Sequence, residues 1–231
     1  KSFNLIAFCF RSKPSSDLNK KILIYKDWRK LLKNKKINAI IITSPPETHF
    51  NIINEAIKRN IHIFCEKPVT RSLVQISQTC NSIKNKNIKH FVNFEFPKIK
   101  VFKFFKDKIL KKIKINKVII NWSIKIPQQK RSDWKNAHDK GGGIFYNYIC
   151  HSLYYMENLF GKIKIEKFIK NSKKNPSNLM VRFNNINKNF KIILNFKILA
   201  IKSRKRSIHQ IKIISNKGTF YLESKTESLK D

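Results

Sequence analysis

The sequence predicts an α/β domain built on a doubly wound parallel sheet, followed by an α+β domain with a mostly antiparallel open sheet. In the first third, short runs of β-branched residues alternate with helical patterns, which is typical of parallel strands joined by crossover helices. From about Pro97, apolar strands with alternating polarity take over and helices become few. We therefore expect one domain over residues 1–96 and a second over residues 97–231.

The first domain is expected to contain four strands, at residues 5–10, 39–43, 61–65 and 88–93. Helices are predicted at 28–33, 47–58 and 70–83, and Thr70 suits the N-cap of the last of them. The strand at 39–43 is an apolar run, Ala-Ile-Ile-Ile-Thr, so we expect both of its faces to be covered.

The second domain is expected to contain one main helix against its sheet. This helix spans residues 143–160, follows a glycine run and ends before Gly161. Strands are predicted at 117–126, 163–168, 179–183, 190–196, 208–214 and 219–222. Asn216-Lys217-Gly218 between the last two strands is typical of a hairpin turn.

The composition is strongly basic, with 50 Lys and Arg against 14 Asp and Glu and a net charge of +36. Lysine is spread along nearly the whole chain among Asn, Ile and Phe, so we interpret the charge as drift on solvated faces. A basic nucleic-acid-binding protein stays open as a hypothesis that only the charge favours. We expect no membrane segment, and the four cysteines, without C-x-x-C spacing, fit a reducing, cytoplasmic setting rather than a metal site.

Three polar constellations stand out, and each also has a purely structural interpretation. Thr43-Ser44-Pro45, with His49 nearby, follows one predicted buried strand, and Glu66-Lys67-Pro68 follows the next. This is the sheet edge where ligands bind, and a lysine held there by a following proline can move a proton. The third is the run 141–151, in which Asn147 and His151 are four residues apart on one helix face.

The order and spacing of these motifs resemble those of the glucose-fructose oxidoreductase, inositol dehydrogenase and MocA-like (Gfo/Idh/MocA) family. The resemblance covers essentially all 231 residues. It implies a partial Rossmann domain and a hydride transfer between a sugar or polyol hydroxyl carbon and the nicotinamide of NAD or NADP. It also implies that Lys67 and His151 converge on a shared cleft.

Roles for individual residues follow from this resemblance. The implied catalytic residues are Lys67, His151 and Asn147. The implied cofactor-binding residues are Arg11, Ser12, Thr43, Ser44, Pro45, His49, Glu66 and Lys67. The implied substrate-binding residues are Trp134, Lys135, Asn147 and His151. No metal ligand is implied.

The sequence departs from the family in two places. Asn147 stands where the family commonly has Asp, and an amide cannot ionise. A catalytically silent member that binds cofactor or sugar without turnover is therefore the alternative function. The glycine-rich G-x-G-x-x-G loop is missing, so we expect a truncated Rossmann domain without its first βα unit, exposed strand edges and no activity in these residues alone.

Two further expectations concern the cofactor and the assembly. Phe10-Arg11-Ser12-Lys13 follows the first predicted strand, where an acidic residue would select NAD, so the basic and hydroxyl groups there favour NADP. The family resemblance also implies a homo-oligomer formed through the open face of the second-domain sheet, over residues 163–196.

Overall fold

The structure is a computed structural model that describes residues 3–10, 21–125, 141–171, 177–200, 202–203 and 205–226. It divides into two compact units: the N-terminal unit runs to Asn93 and includes Gly141, and the C-terminal unit begins at Phe94 and resumes at Gly142. The helices are α1 (Trp28–Leu32), α2 (Pro46–Lys58), α3 (Leu73–Ile83), α4 (Lys100–Phe104) and α5 (Cys150–Phe160). The strands are β1 (Ala7–Cys9), β2 (Leu23–Tyr25), β3 (Ala39–Ile42), β4 (His62–Cys65), β5 (His90–Val92), β6 (Ile115–Lys125), β7 (Ile163–Lys170), β8 (Asn178–Asn185), β9 (Lys191–Leu199), β10 (Ser207–Ser215) and β11 (Gly218–Thr226).

The predicted fold class is confirmed, because the N-terminal unit is built on parallel strands and the C-terminal unit on a mostly antiparallel sheet. Strands β3, β4 and β5 form a three-stranded parallel sheet in which Ile42 pairs with Cys65. Strands β1 and β2 form a separate parallel pair. Among the described strands no ladder joins these two sheets.

The three-stranded sheet is covered unequally on its two faces. Ile42, Ile63 and Cys65 are buried in the same apolar cluster as residues of α2. On the opposite face, Ile41 is 70% exposed, its cross-strand partner Phe64 is 39% exposed, and Phe91, which pairs with Phe64, is 58% exposed. The expectation that both faces of residues 39–43 are covered is therefore wrong, because alternate side chains of a strand point to opposite faces and only one face is packed.

Two local features of the N-terminal unit differ from the sequence prediction. Helix α3 begins at Leu73, and its N-cap is Ser72, whose Oγ accepts from the Gln75 backbone N–H at 3.1 Å. Thr70, the predicted cap, instead donates its hydroxyl to the Ser72 carbonyl oxygen at 3.0 Å. Strand β2 is not predicted, because its three residues lie in a lysine-rich stretch too short to show alternation.

The six strands of the C-terminal unit form one sheet in the order β11-β10-β6-β9-β8-β7. Strands β6 and β9 pair in parallel, whereas every other pair in this sheet is antiparallel. Ser215 pairs with Gly218 in the hairpin that joins β10 to β11, which confirms the turn predicted at 216–218.

The core of the C-terminal unit lies between this sheet and α5. Alternate residues of the central strands point inward, and α5 covers them with its buried face. The innermost side chains are Val118, Ile120, Tyr155, Met156, Ile192, Leu194 and Ile213. The segment from 96 to 112, which contains α4, is helical although no helix is predicted there. Lysines interrupt its apolar period, yet Phe102 and Phe105 are buried.

Candidate functional site

Three turns meet at the carboxyl edge of the three-stranded sheet: residues 43–45 after β3, residues 66–68 after β4, and Asn93 after β5. The Glu66 backbone N–H donates to the Ile42 carbonyl at 2.9 Å, and the Asn93 N–H donates to the Cys65 carbonyl at 2.8 Å. The ladder therefore continues past the ends of the strands. It brings the first two predicted constellations side by side, as parallel strands require.

Hydroxyl groups hold the turn after β3. Thr48 Oγ1 donates to the Pro45 carbonyl oxygen at 2.8 Å, and Ser44 Oγ lies 2.6 Å from Thr48 Oγ1. Since the Thr48 proton goes to Pro45, Ser44 is the donor in the second bond. Helix α2 begins next, at Pro46, in a position that suits proline. Thr43 is exposed, whereas Ser44 and Pro45 are half-buried.

His49 fastens this turn to the next one from inside the protein. Its side chain is 0% exposed. Nε2 lies 2.8 Å from the Ser44 carbonyl oxygen, and Nδ1 lies 2.8 Å from the Pro68 carbonyl oxygen. A carbonyl oxygen only accepts, so a ring nitrogen donates to its carbonyl only when it carries a proton, and the tautomer decides which bond forms. The ring has no exposed surface and its two contacts join the turns, while the predicted cofactor-binding role of His49 stays a prediction.

The Glu66 carboxylate anchors the second turn. Asn93 Nδ2 donates to Glu66 Oε1 at 2.6 Å, and the Lys67 backbone N–H donates to Glu66 Oε2 at 3.3 Å. Lys67 is half-buried, and the peptide bond that joins it to Pro68 is cis. The motifs do not identify Asn93 as a site residue. Its position directly after a strand at the same edge is the signal that points to it.

Cys65 lies next to these groups but is not a nucleophile. Burial, with a smaller contribution from the Glu66 carboxylate, raises the pKa of the Cys65 thiol to about 12. The thiol donates to the Glu66 carbonyl oxygen at 3.1 Å. Because the thiolate is the reactive form, this cysteine is inert at neutral pH and serves the turn structurally.

The glycine run begins in a conformation that only glycine tolerates well. Gly141 and Gly143 both have φ near +83°. A Cβ on Gly141 would stand 2.9 Å from Pro46 Cβ, at the start of α2. This glycine therefore lets the chain pass close to the turn that follows β3.

The helix predicted over 143–160 is confirmed, with one local change. A π-helical turn, Phe145–Ile149, precedes α5, and Gly161 with φ of 88° caps the end. Asn147 lies in the π turn and His151 in α5, so their four-residue spacing crosses a change of helix type. Such π turns occur frequently at functional sites. Asn147 is half-buried and His151 is 9% exposed.

His151 belongs to an aromatic cluster that also contains Phe96, Trp122, Tyr155 and His209. The ring centre of Phe96 lies 5.5 Å from that of His151, 5.4 Å from that of His209 and 5.6 Å from that of Tyr155. Trp122 stacks on His209 at 4.6 Å. Tyr155 and His209 belong to no motif, but Tyr155 follows His151 by one helical turn, and this spacing is a usable signal.

Burial sets the protonation of the pair at the centre of this cluster. The Tyr155 hydroxyl lies 2.9 Å from His209 Nε2. Desolvation, followed by the charge of His151, lowers the pKa of His209 to about 4. Burial also raises the pKa of Tyr155 well above its usual range. Tyr155 is therefore the donor and a neutral His209 is the acceptor.

The structure does not test every predicted site residue. Arg11, Ser12, Trp134 and Lys135 lie outside the described residues. Lys67 belongs to the N-terminal unit and His151 to the C-terminal unit. Their convergence stays a prediction.

The described part of the chain contains no group of three or more His, Cys, Asp or Glu side chains placed to hold a metal ion. None of the helices in that part has the length and apolar character needed to cross a bilayer.

Sequence comparisons identify the two units. A family model described as "Oxidoreductase family, NAD-binding Rossmann fold" matches residues 3–94. A second, described as "Oxidoreductase family, C-terminal alpha/beta domain", matches residues 106–230. An uncharacterized oxidoreductase of Synechocystis is 25% identical over 143 residues, which are 59% of this chain and 38% of that protein. Levoglucosan dehydrogenase of Pseudarthrobacter phenanthrenivorans is 33% identical over 70 residues, which are 30% of this chain and 18% of that protein.

Solved structures share the fold at low identity. The WlbA dehydrogenase of Bordetella pertussis, in complex with NADH and UDP-GlcNAcA, matches with a TM-score of 0.77 and 16% identity, over 88% of this chain and 65% of its own. The myo-inositol 2-dehydrogenase of Lactobacillus plantarum matches with a TM-score of 0.78 and 15% identity, over 95% of this chain and 68% of its own.

Proposed function

Because this chain belongs to the Gfo/Idh/MocA family of oxidoreductases, we propose that it acts in an NAD(P)-dependent oxidoreductase that transfers a hydride between a sugar or polyol hydroxyl carbon and nicotinamide. The observation that carries this proposal is the hydrogen-bonded edge at which Glu66, Asn93 and His49 hold the Lys67 turn. A lysine carried on a hydrogen-bonded turn at the ligand-binding edge of a parallel sheet suits a proton transfer.

The residues at this edge fit part of a nicotinamide cofactor. Thr43, Ser44, Pro45 and Glu66 would hold it, because they form the turns at the carboxyl ends of β3 and β4. When bound, the nicotinamide supplies the hydride acceptor or donor. A dinucleotide pyrophosphate is usually bound by a glycine-rich loop in the Rossmann domain. These 231 residues contain no glycine before Gly141, so that loop is not among them. Arg11 and Ser12 would read the adenosine ribose, where a basic and a hydroxyl group favour NADP over NAD.

The proposed proton chemistry belongs to the side chains of this chain. As the carbon–hydrogen bond gives up its hydride, the hydroxyl proton passes to Lys67. His151 then carries that proton or orients the reacting hydroxyl. Asn147 hydrogen-bonds a substrate hydroxyl without taking a proton. Trp134 and Lys135 contact the substrate.

The test is turnover by the protein expressed from its complete reading frame. NAD and NADP are each offered with a panel of sugars, inositols and anhydro sugars, and reduction is followed by nicotinamide absorbance. The proposal expects reduction with at least one substrate and tighter binding of NADP. Binding of neither cofactor, measured by calorimetry, would contradict it.

Asn147 favours one alternative, a silent member that binds cofactor or sugar without turnover. This alternative expects calorimetric binding but no absorbance change with any substrate. Replacing Asn147→Asp supplies the ionisable group common in the family. A gain of turnover in that variant alone would establish that the natural chain is silent because of this residue.

We also propose that the open face of the six-stranded sheet joins two copies of the chain. This face carries a depression of about 630 Å³ lined by residues including Asn121, Met180, Asn195 and Gln210. Asn195 Nδ2 donates to Asn121 Oδ1 at 2.9 Å across β9 and β6. A mixed apolar and amide surface is typical of a subunit interface. Sedimentation should therefore give a dimer or larger assembly, and Asn195→Lys should shift it toward the monomer.

A further inference from the structure

The hydrogen-bonded pair of Tyr155, which is fully buried, and His209, which is half-buried, has no part in the proton chemistry proposed above. Tyr155 is 0% exposed, and its hydroxyl lies 2.9 Å from His209 Nε2. The bond joins α5 to β10, and its two residues are 54 positions apart in the chain. The bond favours one arrangement of these two elements, because breaking it takes the His209 acceptor away from the fully buried Tyr155 hydroxyl.

This pair lies in the same aromatic cluster as His151. Tyr155 follows His151 by one turn of α5, so the two side chains share a helix face. The Phe96 ring touches both imidazoles, with centre distances of 5.5 Å to His151 and 5.4 Å to His209. Phe94 adds an edge-on contact to His151 at 5.8 Å. The His151 ring is therefore packed against Phe96, and Phe96 also contacts the rings of both Tyr155 and His209.

The charges around His209 support the same role. The groups packed against it are Tyr155 and His151 from α5, Trp122 from β6, and Phe96. Of these, Tyr155 and His151 can titrate. Since Tyr155 keeps its proton and His209 stays neutral at neutral pH, their hydrogen bond runs in one direction, from the tyrosine hydroxyl to the imidazole.

We propose that Tyr155 and His209 are positioning residues that orient the His151 imidazole through their mutual hydrogen bond and the Phe96 ring. This inference rests on the proposed function for the catalytic part played by His151. The claim that Tyr155 and His209 orient the His151 ring is independent of the proposed function and can be measured separately.

Three variants separate the hydrogen bond from the bulk of the residues. Tyr155→Phe removes only the donor. His209→Leu removes the acceptor, whereas His209→Gln retains an amide oxygen that can accept. In the protein expressed from its complete reading frame, Tyr155→Phe and His209→Leu should lower kcat about tenfold with KM for the cofactor unchanged, because a small displacement of a proton carrier acts on the chemical step. His209→Gln should restore kcat to within about threefold of the natural protein.

The second readout is the ring-proton resonance of His151, assigned with a His151→Gln variant. Tyr155→Phe and His209→Leu should shift it, and His209→Gln should leave it close to its natural position. If Tyr155→Phe leaves the resonance where it was, the positioning role is overturned, whether or not the enzyme turns over. If the resonance shifts as expected but no variant or natural protein reduces a nicotinamide, the positioning role stands and the proposed function fails.

Discussion

At the scale of single residues, His49 ties together two turns that lie 19 residues apart in the chain. We predict that His49→Leu lowers the free energy of unfolding by about 2–5 kcal/mol, because the ring donor that serves the Ser44 and Pro68 carbonyls is lost from a buried site and the smaller side chain leaves a void. His49→Gln keeps one amide donor and should cost less. Urea denaturation of the two variants provides the measurement. Equal losses would mean that ring volume matters and the carbonyl bridge does not.

His209 gives a pH dependence whose sign can be worked out. Its folded pKa of about 4 lies below the ordinary value of 6.5, so the unfolded chain binds the proton more readily. The contribution of His209 to the free energy of unfolding therefore has its full value above pH 6.5. As the pH falls from 6.5 toward 4, the free energy of unfolding declines by up to about 3 kcal/mol. Unfolding free energies across this window should show the decline. His209→Gln should flatten it, and an unchanged slope in that variant would contradict the assignment.

The residues at the site differ in how far the sequence could reveal them. Lys67 and His151 lie in motifs with a recognisable order. Asn93, Tyr155 and His209 carry no such pattern, because their roles depend on which strands and helices become neighbours. His49 was identified, but its burial and its carbonyl partners follow from the closure of α2 against the cis-proline turn and could not be predicted from spacing.

At the scale of elements, Gly141 shows how the glycine run is fitted to α2. We predict that Gly141→Ala destabilises the protein by about 2–4 kcal/mol, because the positive φ and the 2.9 Å approach to Pro46 Cβ both penalise a side chain. Gly218→Ala is the matched control, since Gly218 has φ of 104° with nothing within 4 Å. Gly218→Ala should lower the free energy of unfolding only by the backbone strain of a positive φ, about 1–2 kcal/mol. Thermal unfolding compares them, and equal shifts would remove the steric argument.

Elements with a clear apolar period were predicted well, and elements without one were not. Helix α2 and strands β3, β4 and β6 appear close to their expected positions. Strand β2 and the helical segment around α4 are not predicted, because lysines between their apolar residues obscure the hydrophobic period. The N-cap moved from Thr70 to Ser72 because both hydroxyls can bond the local backbone, and only tertiary packing decides which of them caps α3.

At the scale of the whole molecule, the fold class follows from the change in pattern near residue 97, whereas strand pairing does not. Nothing in the sequence indicates that β6 pairs in parallel with β9 inside an otherwise antiparallel sheet. Likewise, the sequence does not indicate that β1 and β2 form one sheet while β3, β4 and β5 form another. Long-range pairing is set by the assembled sheet and leaves little trace in local composition.

The central claim is that Lys67, held at the carboxyl edge of the parallel sheet, moves the substrate proton. The most direct measurement is single-turnover nicotinamide reduction by Lys67→Met, with Lys58→Met as a control, because Lys58 lies at the exposed end of α2. We predict that Lys67→Met slows this step by about 10²–10⁴-fold at saturating cofactor, where any loss of cofactor affinity no longer limits the rate. Lys58→Met should behave as the natural protein. A Lys67→Met variant that reduces nicotinamide at the natural rate would contradict the account.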